Sequence, residues 1–445
     1  MMSMAYLVNN VVPYTEWEMS MANDTANGPS VRLPWAGKWV RIEEVEERLT
    51  SLWSMSHDNL RTGSGANVNV RTSVLNLVIC TPDIETAGLA SKVLRDLSST
   101  HLARVAIVVL DSSEPNSSVS AWVTLRCFSM ISDLMRHCFE QTTLLARGSA
   151  VRAAGNMLQP LLKPDLPVYL WWLGDPPDED DATFQNFVNV SDRIIFDSTS
   201  FFNPEQDIRT LTGLCSAAPN AAISDLNWGR LTAWRELVIQ FFDVPEYRPY
   251  LAGIHTIEIE HAAAPLAVPG RTEGGDVSPN PTRALLLAAW LKERLSWSLS
   301  ASRSNNYHDT ASGSYHWEMQ RATGQRGTTG QLVSPRSRSG RLGGQPVSIT
   351  IRPMVHGELR PGSIALVRLA STADNKEAVF TIVRDADLEH VVTSVELEQE
   401  TRQRRIVSLA RQQKESDLLR EELEITGHDY LFEQTLQEIA NLLEQ

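Results

Sequence analysis

Ser73-Val74-Leu75-Asn76-Leu77-Val78-Ile79-Cys80 is followed by Ala90, Val93, Leu94 and Leu97 at i, i+3, i+4 and i+7, and then by Val105-Ala106-Ile107-Val108-Val109-Leu110. The outer two runs are short and almost wholly apolar, as in strands covered on both faces. The middle one has the single apolar face of a helix. Together they predict a βαβ unit with parallel strands and a right-handed crossover. The pattern continues downstream. Ala121, Val123, Leu125 and Cys127 alternate with Trp122, Thr124 and Arg126, which marks a half-exposed strand. Cys138–Leu145, Val168–Leu173 and Arg193–Asp197 read as further strands, with a helix carrying Val151, Ala154 and Leu158 between the first two. This alternation predicts a Rossmann-like, three-layer α/β domain with a mostly parallel sheet over residues 71–248.

At 445 residues the chain exceeds what one hydrophobic core usually supports, so two domains are expected. Leu231, Trp234, Leu237, Val238, Phe241 and Phe242 form a wide apolar stripe, predicting an amphipathic helix over Asn227–Asp243 that Ser224 or Asp225 caps and Pro245 ends. Residues 249–445 read as a C-terminal α+β domain. It has a strand at Thr256–Glu260, a helix at Leu285–Leu295, an antiparallel sheet from Val347–Ile351, Ile364–Leu369, Val379–Arg384 and Val391–Leu397, and terminal helices. Residues 303–342 hold six arginines against two acids and little apolar content, predicting a mobile Ser/Gly/Arg-rich loop. Arg402–Glu424 reads as a charge-dense helical segment. Gly427 separates it from a last helix carrying Phe432, Leu436, Ile439 and Leu443 on one face. Residues 1–70 form an N-terminal arm with a helix within Glu43–Leu52. Its Trp17, Trp35, Trp39 and Trp53 either pack over the main domain, the plainer reading, or form a partner-facing aromatic surface.

Charge and motifs exclude several functions. A net charge of −14 disfavours nucleic-acid binding, which needs clustered Lys and Arg. No apolar stretch approaches the roughly 20 residues that span a bilayer, and the first twenty residues lack the basic start of a leader, so a cytoplasmic protein with no membrane role is expected. Cys80, Cys127, Cys138 and Cys215 contain no CxxC pair and read as buried thiols. After the first strand the chain runs Thr81-Pro82-Asp83-Ile84-Glu85, without the glycines of a dinucleotide loop and with two acids that repel a pyrophosphate. No NAD, NADP or metal site is therefore expected. A P-loop, a GxSxG elbow and an HExxH helix are absent as well. Asp175 with Asp197 is the only candidate pair for acid–base work. Arg147, Ser149 and Arg152 stand at a helix start, where free amides attract an anion such as a sugar phosphate. An ordinary Ser-capped helix entry explains the same residues.

Two segments are more distinctive: Pro164-Asp165-Leu166-Pro167 with Trp171-Trp172 and Gly174-Asp175-Pro176-Pro177, and Asp225-Leu226 with Trp228, Arg230-Leu231-Thr232 and Trp234-Arg235. Together with Asp197-Ser198 they resemble the glucose-6-phosphate dehydrogenase assembly protein family (OpcA). The resemblance implies a two-domain protein with no catalysis or cofactor of its own. Such a protein assembles and allosterically activates glucose-6-phosphate dehydrogenase, which opens the oxidative pentose phosphate pathway and produces NADPH. It also singles out Trp171, Trp172, Asp175, Asp225, Trp228, Arg230, Trp234 and Arg235 as family-motif or interface residues. From the residues alone, Trp171 and Trp172 point to opposite faces of one strand, which makes both core in a covered sheet. Arg230 either pairs with a buried Asp and fixes the architecture or reaches a partner. The rival functional reading is a sugar-phosphate-binding enzyme or sensor at the C-terminal edge of the α/β sheet.

Overall fold

The structure, a computed structural model, describes residues 38–61, 68–70, 73–97, 103–129, 135–263, 280–300, 306–310, 312–321, 347–355, 358–409 and 414–444. The chain divides into two units, Met1–Leu173 with Asp180–Ile194, and Gly174–Glu179 with Ile195–Gln445. In the first, Lys38–Val40 (β1) leads to Val45–Arg61 (α1), which buries Val45, Leu49, Leu52 and Trp53. Then come Val68–Val70 (β2), Leu75–Thr81 (β3), Ile84–Leu97 (α2), Ala103–Asp111 (β4), Ser118–Ser129 (β5) and Met135–Arg147 (β6). After a 3-10 turn at Gly148–Ala153 follow Ala154–Leu158 (α3), Val168–Trp172 (β7), Ala182–Val188 (α4) and Arg193–Phe196 (β8). The unit boundary falls inside β8.

Within this unit the strand order is β1-β5-β6-β4-β3-β7, with β2 beside β6. The pairs β6–β4, β4–β3 and β3–β7 are parallel, and β5 runs antiparallel to β6. The expected βαβ unit is present: β3 is buried throughout, and α2 turns Ala87, Ala90, Leu94 and Leu97 inward. Asp83 accepts a hydrogen bond from the Thr86 amide at 2.7 Å, so a carboxylate of the chain itself occupies the start of α2. The described part of the arm belongs to the unit. Trp39 lies opposite Trp122 in the β1–β5 pair, and Trp53 donates Nε1 to Glu140 at 2.6 Å. Trp17 and Trp35 lie outside the described residues.

The second unit contains Pro204–Ala217 (α5), Ala222–Asp225 (β9), Leu226–Gly229 (α6), Thr232–Asp243 (α7) and Arg248–Leu251 (α8). Ile254–Ala263 (β10), Thr282–Arg294 (α9), Trp297–Leu299 (β11), Tyr307–Asp309 (β12), Ser314–Arg321 (β13) and Val347–Val355 (β14) follow. Ile364–Ala373 (β15), Lys376–Arg384 (β16), His390–Leu397 (β17), Glu400–Ser408 (β18), Glu415–Glu424 (α10) and Tyr430–Leu443 (α11) complete it. Its large sheet has the order β11-β13-β14-β10-β15-β16-β17-β18, with β12 on β13. All these pairs are antiparallel except β10–β14. Helices cover one face: Trp317 of β13 donates Nε1 to Leu442 O of α11, and Phe380 of β16 packs on Phe241 and Phe242 of α7.

Four expectations change. The helix expected over Asn227–Asp243 is broken after Gly229 and restarts at Thr232. The unit boundary also lies earlier than residue 248, because α7 packs its phenylalanines against Phe380 and so joins the second core. Part of 303–342 is strand rather than loop, since Tyr315, Trp317 and Met319 of β13 are buried under the helices. Residues 322–342 lie outside the described residues. Finally, Glu400–Ser408 is an edge strand where the charge-dense segment was expected to be helical, and only Glu415–Glu424 forms a helix.

Candidate functional site

Among the described residues the densest polar cluster in the second unit is built from β9, α6, the turn after β8 and the start of α9. Asp225 ends β9 and is fully buried. Its Oδ1 accepts from the Ser198 and Asn227 amides, each at 2.9 Å, and its Oδ2 accepts from Ser198 Oγ at 2.5 Å. Capping of α6 by Asp225 follows from this geometry. Arg230 stands in the helix break and donates Nη1 and Nη2 to Asp197 Oδ1 and Oδ2 at 2.7 and 2.8 Å. A two-bond guanidinium–carboxylate pair of this kind fixes orientation as well as charge.

Two members of this network were not singled out from the sequence. Arg283 donates Nε to Asn227 Oδ1 at 2.7 Å, and Asn280 donates Nδ2 to the Ser198 carbonyl at 2.9 Å. The signal was available: Asn280-Pro281-Thr282-Arg283 sets polar residues directly before an apolar helical run.

Electrostatics separate the two acids. Burial pushes the Asp225 carboxyl up to about 6, helped by the neighbouring Asp197 and opposed by the Ser198 and Asn227 hydrogen bonds. Burial pushes Asp197 up too, but the Arg230 charge and its hydrogen bonds more than offset this and hold it below the usual carboxylate range. Burial and the facing Arg230 lower Arg283 to about 9. Asp197 and Asp225 are thus both held by groups of the fold itself, in line with the architectural alternative for Arg230.

The motif tryptophans are also structural. Trp228 is buried, donates Nε1 to Asp429 Oδ2 at 3.0 Å and packs at a tilt against Phe432. The Arg235 guanidinium lies 3.6 Å over its ring, and burial lowers Arg235 to about 10. Trp234 is buried with Arg384 over its ring at 5.6 Å. Asp175 accepts from the Phe202 amide at 2.9 Å. In the first unit, Trp171 is buried, and Trp172 is half-buried with its ring edge-on to Phe184 at 5.0 Å. Asn76 was another residue missed in the sequence. It is fully buried in β3, donates to the Lys163 and Leu166 carbonyls, and so holds the Pro164–Pro167 turn in place.

Arg147 ends β6 with Nε 3.8 Å from Asp111, and Ser149 and Arg152 lie in the six-residue 3-10 turn. The N-cap of that turn, Arg147, makes no side-chain capping bond. Cys80 and Cys215 are free thiols, both pushed up by burial, Cys215 to about 12. No group of three His, Cys, Asp or Glu side chains suited to a metal occurs among the described residues, and no described helix is long and apolar enough to cross a membrane.

Comparison with known proteins decides the family. Residues 94–213 match the model of the glucose-6-phosphate dehydrogenase subunit N-terminal domain, and residues 221–436 match that of the C-terminal domain. The chain belongs to the OpcA family. An OxPP cycle protein OpcA of Synechocystis sp. is 32% identical over 217 residues, 48% of this chain and 41% of the relative. One from Synechococcus elongatus is 30% identical over 217 residues, 48% of this chain and 45% of the relative. The matches thus span less than half the length of these relatives. The family models are described as domains of a glucose-6-phosphate dehydrogenase subunit, and both relatives are named as OxPP cycle proteins. Among solved structures, scyllo-inositol dehydrogenase from Lactobacillus casei is similar over 83% of this chain and 95% of its own, at TM-score 0.38 and 10% identity. Myo-inositol 2-dehydrogenase from Lactobacillus plantarum is similar over 83% and 89%, at TM-score 0.37 and 10% identity. Likeness at this level carries no argument about chemistry.

Proposed function

We propose that this chain is a non-catalytic assembly factor that binds glucose-6-phosphate dehydrogenase, favours its active oligomer and thereby activates it in the cytoplasm. The observation that carries the reading is the match of both halves of the chain to the domains of a glucose-6-phosphate dehydrogenase subunit. The side chains support it. Asp197 is committed to Arg230, and Asp175 to the Phe202 amide, so the one carboxylate pair offered for acid–base work already serves the fold.

An activator without chemistry works only by binding one state of its target more tightly than another. A tenfold shift in the dehydrogenase's assembly equilibrium requires about 1.4 kcal/mol of such difference, within the usual range of coupling energies. The test is a titration of this chain into purified dehydrogenase at fixed enzyme concentration. The apparent KM for glucose 6-phosphate falls, or the rate rises, up to a saturating ratio, while the chain alone turns over no sugar phosphate. An unchanged saturation curve, or turnover by the isolated chain, contradicts the proposal.

A further inference from the structure

The sheet of the second unit has a face turned away from its helices, and the strand registers define what lies on it. Phe380 points into the helical layer, so Val379, Thr381 and Val383 of β16 lie on the opposite face. Leu366 is paired with Val383, Val383 with Val392, and Val392 with Ile406. Directly paired residues share a face. These four therefore form one apolar row across β15, β16, β17 and β18, spanning about 15 Å at the usual strand spacing. Two members of the row reach solvent, Val383 at 37% and Ile406 at 66% exposed, while Val392 between them is buried at 8%.

The next row on the same face runs Arg368, Thr381, Ser394 and Arg404. Arg368 faces Glu258 at 3.4 Å, and Arg402 further along β18 faces Glu400 at 2.9 Å. Arg404 has no ion pair among the described residues. A charged edge strand also serves to block unwanted strand pairing. That duty accounts for the arginines of β18, but it asks for no exposed isoleucine and no apolar row leading inward from it. A dry apolar centre beside an unmatched cation is instead the anatomy of a recognition surface.

We infer that this end of the open sheet face, centred on Val383, Val392 and Ile406 with Arg404 beside them, docks an acidic protein surface. The inference rests on the proposed function, which makes that surface part of the dehydrogenase. Charge argues against a second copy of this chain. A two-fold contact sets the same patch against itself and brings Arg404 toward its own counterpart. A partner with carboxylates around a shallow apolar ridge instead gives Arg404 a counter-charge.

The test compares binding of the full chain and its variants to purified dehydrogenase by sedimentation and titration calorimetry. Val383→Asp with Ile406→Asp places charge in the dry centre. Arg404→Glu reverses the selecting charge, and Arg404→Lys keeps it. Ile239→Asp, at an exposed position on α7, is the control. Far-UV circular dichroism and the unfolding midpoint establish that each variant folds. Because Arg404 is exposed, its variants keep the test decisive if the double variant fails to fold.

The double variant and Arg404→Glu are expected to weaken binding about thirtyfold or more, as loss of an interface hot spot does. Arg404→Lys and Ile239→Asp are expected to bind like the unmodified chain. Folded double-variant and Arg404→Glu proteins that bind with unchanged affinity overturn the docking site and leave the proposed function standing. An unmodified chain that ignores the dehydrogenase defeats the proposed function, and this inference with it. A chain that self-associates and becomes monomeric only in the double variant overturns the choice of occupant.

Discussion

At Asp225 the fold buries a carboxyl that would rather stay neutral, and this gives stability a definite slope with pH. The group sits at about 6 in the folded chain against an ordinary 3.8, so between those values the native state holds a proton that the unfolded chain releases. Its contribution is therefore full below about 3.8, is lost as pH rises to about 6, and stays flat above. Asp225→Asn should flatten that segment of a stability–pH profile measured by urea unfolding. Asp197 has the opposite sign: held below the usual range by Arg230, it contributes stability that disappears as pH falls through its folded value. Arg230→Gln leaves Asp197 buried without its countercharge, which should cost about 3–5 kcal/mol at neutral pH and remove the acid-side loss. At this scale the sequence was partly legible. Asp225 as a helix cap and the Arg–Asp choice for Arg230 could be read from spacing. Asn280 and Arg283 stand at a polar helix entry that the sequence displays, but their partners, like those of Asn76, are backbone carbonyls and an amide that only the folded chain brings within reach.

Among the elements, those with burial to pattern them were readable and those without it were not. The run Leu75–Thr81 and helix Tyr430–Leu443 declare themselves because one face, or both, must be apolar. Glu400–Ser408 has no buried residue, and its hairpin turns through Glu398 and Gln399 at φ 51° and 71° without a glycine to announce it. The alternation of Tyr315, Trp317 and Met319 was present but was masked by the arginine-rich composition around it. A glycine marks a tight element junction nearby. A Cβ on Gly253 would meet the Thr372 carbonyl oxygen at 2.0 Å, where Gly253 and Thr372 also share a backbone hydrogen bond. Gly253→Ala should lower stability by about 1–3 kcal/mol, the usual cost of forcing atoms into packed structure, and a chemical-denaturation midpoint checks it. An unchanged midpoint would mean that the end of β15 at Thr372 shifts freely.

For the molecule as a whole, the motif residues that carry the family resemblance turn out to hold the fold together. Trp228, Arg230, Trp234 and Arg235 bind other parts of their own unit. The open face of the C-terminal sheet offers, in addition, an apolar row and an unmatched arginine where a partner is proposed to dock. Attachment to the dehydrogenase is the central claim, and sedimentation velocity of the two purified proteins, alone and mixed, tests it most directly. A single faster boundary containing both chains is predicted, at a ratio that matches saturation of the activity effect. Two boundaries that run in the mixture as they do alone, at micromolar concentrations, would contradict it.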